Sequence, residues 1–276
     1  MARLSLASTV KLSSGYTMPL LGFGVYQNFT TKESVLEAFK AGYRHVDSAQ
    51  AYKNEAAVGA AVRESGLPRE ELFITTKCAT KSHGYESTLK GVDGSLARFG
   101  FDYIDLFLIH DPFSGTDRRL ATYKALQEAR QTGTIRTVGV SNFGIKHLEE
   151  IRKAGFPMPS VNQIEIHPFC QQRPIVSYCR EHSVVVQAYC PIIRGRMDHP
   201  VITELAEKYK RDPAQILLRW SLQKGFVPLP KSATPARIRS NAQLYDFELA
   251  DEHVLMLDSL DRGKDGAISW NPVDAD

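Results

Sequence analysis

Four side chains able to hold or move a proton stand at or just after the ends of three successive apolar runs. Asp47 and Tyr52 lie in "GYRHVDSAQAYKNEAAVG", Lys77 closes "LFITTK" and His110 closes "IDLFLIH". A phenol with an ordinary pKa of about 10 is a weak acid at neutral pH unless its surroundings tune it. A lysine cation beside it favours phenolate, and an Asp beside the lysine keeps that cation charged and oriented. Such a tyrosine gives a proton to a developing alkoxide and takes it back in reverse, while a histidine fixes the direction of the carbonyl oxygen. Carbonyl reduction needs this apparatus and a hydride that no side chain supplies, so the quartet asks for a nicotinamide cofactor. Taken singly, each residue fits a solvated strand end or a turn equally well. Convergence is what matters, and convergence is a property of the fold.

The elements that would bring the four together are legible as alternation. Short runs rich in β-branched residues, "LLGFGV", "YRHVD", "LFITTK", "IDLFLIH", "TIRTVGVS", "SVNQIEI", "VVVQAY" and "FVPLP", alternate with amphipathic helical stretches such as "KESVLEAFKAG" and "IKHLEEIRKAG". Gly42, Gly133 and Gly155 stand just past helical stretches, where a glycine stops a helix. Eight such units with near-continuous apolar strands indicate a closed parallel (β/α)8 TIM barrel rather than an open sheet. An N-terminal β-hairpin turning at Ser-Ser-Gly precedes it. Extra helices, "VITELAEKYK" and "DPAQILLRWSLQKG", fall before the eighth strand, and "ADEHVLMLDSLD" lies near the C-terminus. The 276 residues suit one barrel, with no Pro, Gly or Ser linker, so residues 1–276 are expected to form a single domain. In such a barrel chemistry sits at the C-terminal ends of the strands, where Asp47, Lys77 and His110 are placed.

The cofactor signature of an open dinucleotide-binding sheet is missing. "LGFGVYQ" has GxG without a third Gly and without a following acid at about 20 residues. Its glycines, Gly24 among them, are expected to allow close backbone approach beside the cofactor. Binding must then rest on strand-end groups. Tyr189 offers a ring for stacking, and Ser141, Asn142 and Gln163 offer hydrogen bonds suited to a carboxamide. In "LPKSATPARIRSNAQL", Lys231, Ser232 and Arg237 put two cations and a hydroxyl near a helix start, in the region where barrels usually hold phosphate.

Three long stretches in order, "GYRHVDSAQAYKNEAAVG", "IRTVGVSNF" and "LPKSATPARIRSNAQL", resemble the signatures of the aldo-keto reductases, and the likeness covers essentially the whole chain. The resemblance implies a catalytic tetrad of Asp47, Tyr52, Lys77 and His110 with Tyr52 as general acid. It implies that Ser141, Asn142 and Gln163 hold the nicotinamide carboxamide and that Tyr189 stacks on the ring. Lys231, Ser232 and Arg237 would take a 2′-phosphate, with Asn241 near the adenine, making NADPH/NADP+ the expected coenzyme and NADH the alternative. Two departures concern substrate. Many members follow the histidine with Trp-Pro, where this chain has His110-Asp111-Pro112, and Tyr26 stands where Trp is common. Asp111 in the pocket wall would repel anionic substrates unless it turns to solvent or pairs with a cation. The tail "GKDGAISWNPVDAD" offers Trp270 either to the pocket or to the barrel's outside. Tyr26, Asp111 and Trp270 are therefore the candidate substrate contacts. The short loop "CPIIRGRMDHP" is similar to that of compact members acting on diketogluconate and small dicarbonyls.

The remaining features are blander. A net charge of +3, with Lys and Arg scattered among Asp and Glu, argues against a nucleic-acid footprint. No window approaches the roughly 20 apolar residues of a membrane span. The start "MARLSLASTVKL" is too short and too weakly apolar for a secretory signal, although Ser-rich and acid-free as a transit peptide would be. Cys78, Cys170, Cys179 and Cys190 show no metal-ligand spacing and read as reduced thiols of a cytoplasmic protein with no metal, while the resemblance to the aldo-keto reductases implies a monomer acting on a small carbonyl compound. His45 reads as structural, and His83, His147, His182, His199 and His253 as surface. Two other functions compete with reduction: a binding or regulatory protein that kept fold and cofactor, and a barrel enzyme using Lys231 and Arg237 for a phosphorylated substrate.

Overall fold

The computed structural model describes residues 4–276; the first three residues of the N-terminal stretch weighed as a leader lie outside the described residues. The hairpin comes first, β1 (Thr9–Lys11) and β2 (Thr17–Pro19), paired antiparallel with Val10 opposite Met18. Eight strands follow: β3 (Phe23–Gly24), β4 (His45–Asp47), β5 (Phe73–Cys78), β6 (Ile104–Ile109), β7 (Ile135–Ser141), β8 (Val161–Glu165), β9 (Val185–Tyr189) and β10 (Val227–Pro228). They form one sheet in sequence order with every pairing parallel, as right-handed βα crossovers demand. The ladder does not run on from β10 to β3. What joins these edges is a pair of backbone hydrogen bonds, Gly22 N–H to the Pro228 carbonyl at 3.1 Å and Gly24 N–H to the Pro230 carbonyl at 2.9 Å. A Cβ on Gly24 would come within 3.2 Å of the Leu229 carbonyl, so the absence of a side chain lets the two edges approach at this seam.

The helices lie between the strands: α1 (Thr31–Lys40), α2 (Glu55–Ser65), α3 (Tyr85–Phe99), α4 (Thr116–Gln131), α5 (Ile145–Lys153), α6 (Arg173–Glu181), α7 (Pro200–Tyr209), α8 (Pro213–Gln223), α9 (Pro235–Ser240) and α10 (Asp251–Asp258). The two expected extra helices are α7 and α8, between β9 and β10. Pro213 at the first turn of α8 gives up an amide no helix would have used, and Gln215 reaches back to accept the Asp212 N–H at 3.0 Å. Gly42, Gly133 and Gly155 all take positive φ just past their helices.

Strands β5 and β6 are buried along their whole length, so their polar members, Thr75, Thr76, Lys77 and Asp105, are buried with their apolar ones. Most of the core lies between strands and helices, where Val46, Ile74, Phe107, Val140 and Ile164 meet Val58, Leu126, Leu148 and Leu217. A smaller cluster forms around the hairpin, which packs Leu12 and Met18 against Phe73, Leu106, Leu108, Val161 and Val227. The hairpin thus lends the barrel two apolar side chains, and Ser13 and Ser14 fasten its turn by hydroxyl contacts to Ser160 at 2.8 Å and Thr137 at 2.9 Å. No helix among the described residues is long and apolar enough to cross a membrane.

The tightest helix contact is at Gly59 in α2, where a Cβ would lie 2.0 Å from the Phe99 carbonyl oxygen at the end of α3. Alanine would gain up to about 1 kcal/mol of helix propensity, but overpacking costs about 1–3 kcal/mol and backbone cannot yield as a flexible side chain does. Gly59→Ala is expected to lower the melting temperature by a few degrees, about 2–4 °C per kcal/mol for a domain of this size. An unchanged or higher midpoint in a thermal melt would show that the contact relaxes freely.

Candidate active site

Register delivers three of the four polar residues to one end of the sheet. Asp47 ends β4 opposite Gly24 and Thr75, Lys77 pairs with Leu108 one residue before the end of β5, and His110 follows β6 with its N–H on the Cys78 carbonyl at 3.2 Å. Tyr52 arrives differently. It closes a 3-10 turn (Gln50–Tyr52) whose exit residue, Lys53, is left-handed at φ 57°. The turn is braced by Asn54, which donates to the Val25 carbonyl at 2.9 Å and accepts from Ser48 Oγ at 2.7 Å.

Lys77 is wholly buried, and each of its three ammonium protons has a partner: Asp47 Oδ1 at 2.5 Å, the Ser48 carbonyl at 2.8 Å and the Tyr52 hydroxyl at 3.4 Å. Burial presses the Lys77 pKa down while the Asp47 carboxylate pulls it back up. For Tyr52 the expected lowering is not what the structure gives. Burial, reinforced by the Asp47 charge, raises its pKa well above the ordinary value, and this outweighs a cation 3.4 Å away. Tyr52 therefore carries its proton at neutral pH. A cation already beside its oxygen can still stabilise negative charge that arises there during reaction, which is where such stabilisation counts.

The second Asp47 oxygen accepts from Gln163 Nε2 at 2.8 Å, and the same nitrogen donates to Gln187 Oε1 at 2.9 Å. Gln187 Nε2 lies 3.5 Å from His45 Nε2, which is 3.3 Å from Thr75 Oγ1, while His45 Nδ1 is 3.4 Å from the Pro19 carbonyl. His45 is thus a buried member of a polar column running from the tetrad towards the hairpin. Three residues of this network escaped the sequence reading, Ser48, Thr75 and Gln187. Ser48 acts through its backbone and left no trace in side-chain patterns. Gln187 left one, a lone amide in the middle of "VVVQAY".

The candidates for a carboxamide stand together. Asn142, at φ 62°, donates to the His110 carbonyl at 3.0 Å and accepts from the Tyr189 hydroxyl at 2.8 Å; Ser141 Oγ donates to the Gln163 carbonyl at 2.9 Å. Gln163 spends both amide protons on Asp47 and Gln187, which leaves its amide oxygen for an incoming N–H donor such as a carboxamide. This donor set fits a nicotinamide. Lys231 and Arg237 are exposed and have no ion-pair partner among the described residues, whereas Ser232 and Asn241 are buried; Ser232 Oγ accepts from the Thr234 N–H at 3.1 Å ahead of α9.

Aromatic rings border the tetrad. Tyr26 lies 5.0 Å from Tyr52 centroid to centroid, Tyr52 5.6 Å from His110, and Trp270 5.8 Å from His110 and 5.6 Å from Phe113. Tyr26, Phe113 and Trp270 are about half exposed, so the tail tryptophan stands beside the tetrad and open to solvent. Asp111 does not turn to solvent and pairs with no cation among the described residues. Its carboxylate is buried, accepting from Thr80 Oγ1 at 2.6 Å and the Phe113 N–H at 3.2 Å, so it braces the loop. Three histidines expected at the surface are buried: His83 against Ser114, His147 against the C-terminal backbone and His253 between Lys208 and Tyr209.

Comparison with known proteins gives the same picture from outside. Residues 20–262 match the model of the aldo/keto reductase family. A glyoxal reductase of Bacillus subtilis is 44% identical, the match covering 97% of each chain. A crystal structure of an aldo/keto reductase from Brucella melitensis superposes with a TM-score of 0.90 at 40% identity, covering 95% of this chain and 100% of that one. An aldo-keto reductase of Bombyx mori, solved in complex with NADP, gives a TM-score of 0.87 at 34% identity over 94% of each chain.

Burial holds His110 down at about 3, with the Lys77 and His83 charges lowering it further, and holds His45 at about 4 despite the opposing pull of Asp47. Both imidazoles are then neutral throughout the working range. Because these folded-state values lie below the ordinary 6.5 of an unfolded chain, the stability they contribute is complete above about pH 6.5 and is lost as the pH falls towards 3–4. Histidine NMR signals of both residues should not titrate between pH 8 and 5, and the melting temperature should drop on acidification below about 6.5. A His110 resonance titrating near 6.5 would contradict the assigned environment.

Proposed function

The chain belongs to the aldo/keto reductase family, and from that premise we propose that it reduces aldehydes or ketones to alcohols with NADPH as coenzyme and Tyr52 as the acid. The observation that carries this reading is the chain Asp47–Lys77–Tyr52, buried at its ion pair and with the cation fully partnered, facing a neutral His110 at the strand ends. When bound, the reduced nicotinamide supplies the hydride. His110, uncharged, donates a hydrogen bond that directs the carbonyl oxygen towards Tyr52. Tyr52 gives up its proton as charge grows on that oxygen, and Lys77, held by Asp47 and the Ser48 carbonyl, stabilises the phenolate left behind.

Gln163 presents its oxygen, with Ser141 and Asn142 beside it, to the carboxamide, and the Tyr189 ring, tethered through its hydroxyl to Asn142, underlies the nicotinamide. Lys231, Ser232 and Arg237 take the 2′-phosphate, with Asn241 near the adenine; the two unpaired exposed cations support this half of the site. Gly24 serves at the seam, whose two backbone hydrogen bonds support a closed barrel. Tyr26 and Trp270 border the substrate, and the glyoxal reductase relative supports small dicarbonyls among the compounds accepted. The working unit on this reading is a monomer in the cytoplasm, a reducing compartment that suits its four free thiols.

Tyr52→Phe removes the proton and little else, so carbonyl-dependent oxidation of NADPH should fall by at least about 100-fold, the usual scale of general acid catalysis, while NADPH still quenches protein fluorescence. Reduction at the native rate would show that another group is the acid. Arg237→Ala should raise the Michaelis constant for NADPH by about 10-fold or more, the scale of a charge-assisted phosphate contact, and leave that for NADH nearly unchanged. Equal effects on the two coenzymes would remove Arg237 from the 2′-phosphate.

A further inference from the structure

Glu165 ends β8 opposite Tyr189 and is wholly buried, yet no step above uses it. A buried carboxylate is expensive unless its lone pairs find donors. Glu165 finds three: the N–H groups of Ile268 at 2.6 Å and Ser269 at 3.0 Å, and His167 Nε2 at 2.9 Å from the same oxygen that takes Ile268. Two of the three are consecutive amides of the C-terminal tail, a segment outside every strand and α-helix. The next residue is Trp270, whose indole stands against His110 and Phe113.

The tail is fixed on both sides of that indole. Before it, Gly266 passes so close to the Phe169 carbonyl that a Cβ would lie 1.7 Å from the oxygen. Beyond it, the Val273 carbonyl crosses Gly144 so closely that a Cβ there would sit 2.1 Å away, and His147 Nε2 meets the Ala275 carbonyl at 2.7 Å. Trp270, half exposed, is held in the interval. Its indole meets His110, Phe113 and Tyr189 at the pocket rim, and the backbone anchor next to it sets the register in which it reaches them.

We propose that Glu165 is a positioning residue for the substrate pocket: its carboxylate sets the register of the tail and so holds Trp270 as a wall beside His110. This deepens the proposed function and rests on its reading of Trp270 as bordering the substrate. Glu165 touches neither substrate nor the reacting atoms. Its influence is confined to carbonyl compounds large enough to reach the indole, so an aromatic aldehyde should feel its loss and a small dicarbonyl should not.

The test uses the full-length protein with Glu165→Gln, which keeps the volume but replaces one acceptor by a donor, and Ile268→Pro, which deletes a tail amide and leaves the barrel interior untouched. A nitrobenzaldehyde and glyoxal serve as substrates. Both variants should raise KM for the aromatic aldehyde by about 5- to 10-fold, the worth of one aromatic contact, with kcat for glyoxal and the Kd for NADPH within about twofold of native. Acrylamide quenching of tryptophan emission should increase in both, since of the two tryptophans Trp220 is buried and only Trp270 is free to respond. The proposal is overturned if both variants keep native KM and quenching, if quenching rises with KM unmoved, or if KM rises equally for both carbonyls together with the Kd for NADPH. Quenching needs no turnover. A native protein that reduced no carbonyl would therefore sink the assigned reaction while the tether was still judged by its own signal.

Discussion

The site depends on keeping one ammonium group dry. Removing the Lys77 cation from water carries an effective penalty of several kcal/mol, which only good geometry and complete hydrogen bonding offset. The three acceptors that meet it come from one short stretch across the end of β4 and the turn after it: the last residue of β4, the carbonyl one residue later, and Tyr52 at the end of the turn. The β4–β5 register, the Asn54 brace and the left-handed exit at Lys53 are all conditions for those three contacts to coexist. A slip of one residue in β5 would turn the ammonium to the opposite face of the sheet. The pair is thus a constraint on the fold before it is an instrument of chemistry.

The same requirement spreads inward. Asp47 has a second oxygen to satisfy, and Gln163 satisfies it only by also engaging Gln187, which in turn lies against His45. The interior of this barrel near the tetrad is consequently a column of amides and an imidazole, where barrels are mostly packed with branched apolar side chains. Low dielectric strengthens such a network when every member has a partner and penalises it when one does not. His45 remains neutral there, and it ties the column to the hairpin through the Pro19 carbonyl. Glu165 repeats the principle at the rim: a buried carboxylate is satisfied by amides of the tail, and the tail is thereby fixed over the mouth.

Much of this was legible in the residue order, for physical reasons. Strands buried on both faces are mostly apolar, so β5, β6 and β9 announced themselves, and polar residues at their ends marked the proposed site. The Asp47, Tyr52, Lys77 and His110 grouping followed from strand ends alone. What sequence could not supply was environment. The direction of the Tyr52 shift depends on how much burial outweighs a cation at 3.4 Å, and no spacing encodes that. Asp111 was weighed between a pocket wall and a loop residue facing water, and neither its burial nor its hydroxyl partner 31 residues upstream left a sequence signal. His83, His147 and His253 looked superficial because their partners are distant in sequence or are backbone carbonyls. A closed parallel barrel was foreseen, but not that its short edges, β3 and β10, share no ladder and are joined by backbone hydrogen bonds from Gly22 and Gly24. Non-local backbone donors, such as those on Glu165, leave no sequence pattern at all.

The central claim is that the buried Lys77 cation stabilises the negative charge Tyr52 acquires as it gives up its proton. The most direct test is kcat for carbonyl reduction in Lys77→Met, a variant of similar length without the charge, alongside its affinity for NADPH. The account requires kcat to fall by at least about 100-fold with coenzyme affinity largely kept, since preorganised charge is worth that much at a developing anion. A variant that still turned over within about twofold of the native protein would contradict it.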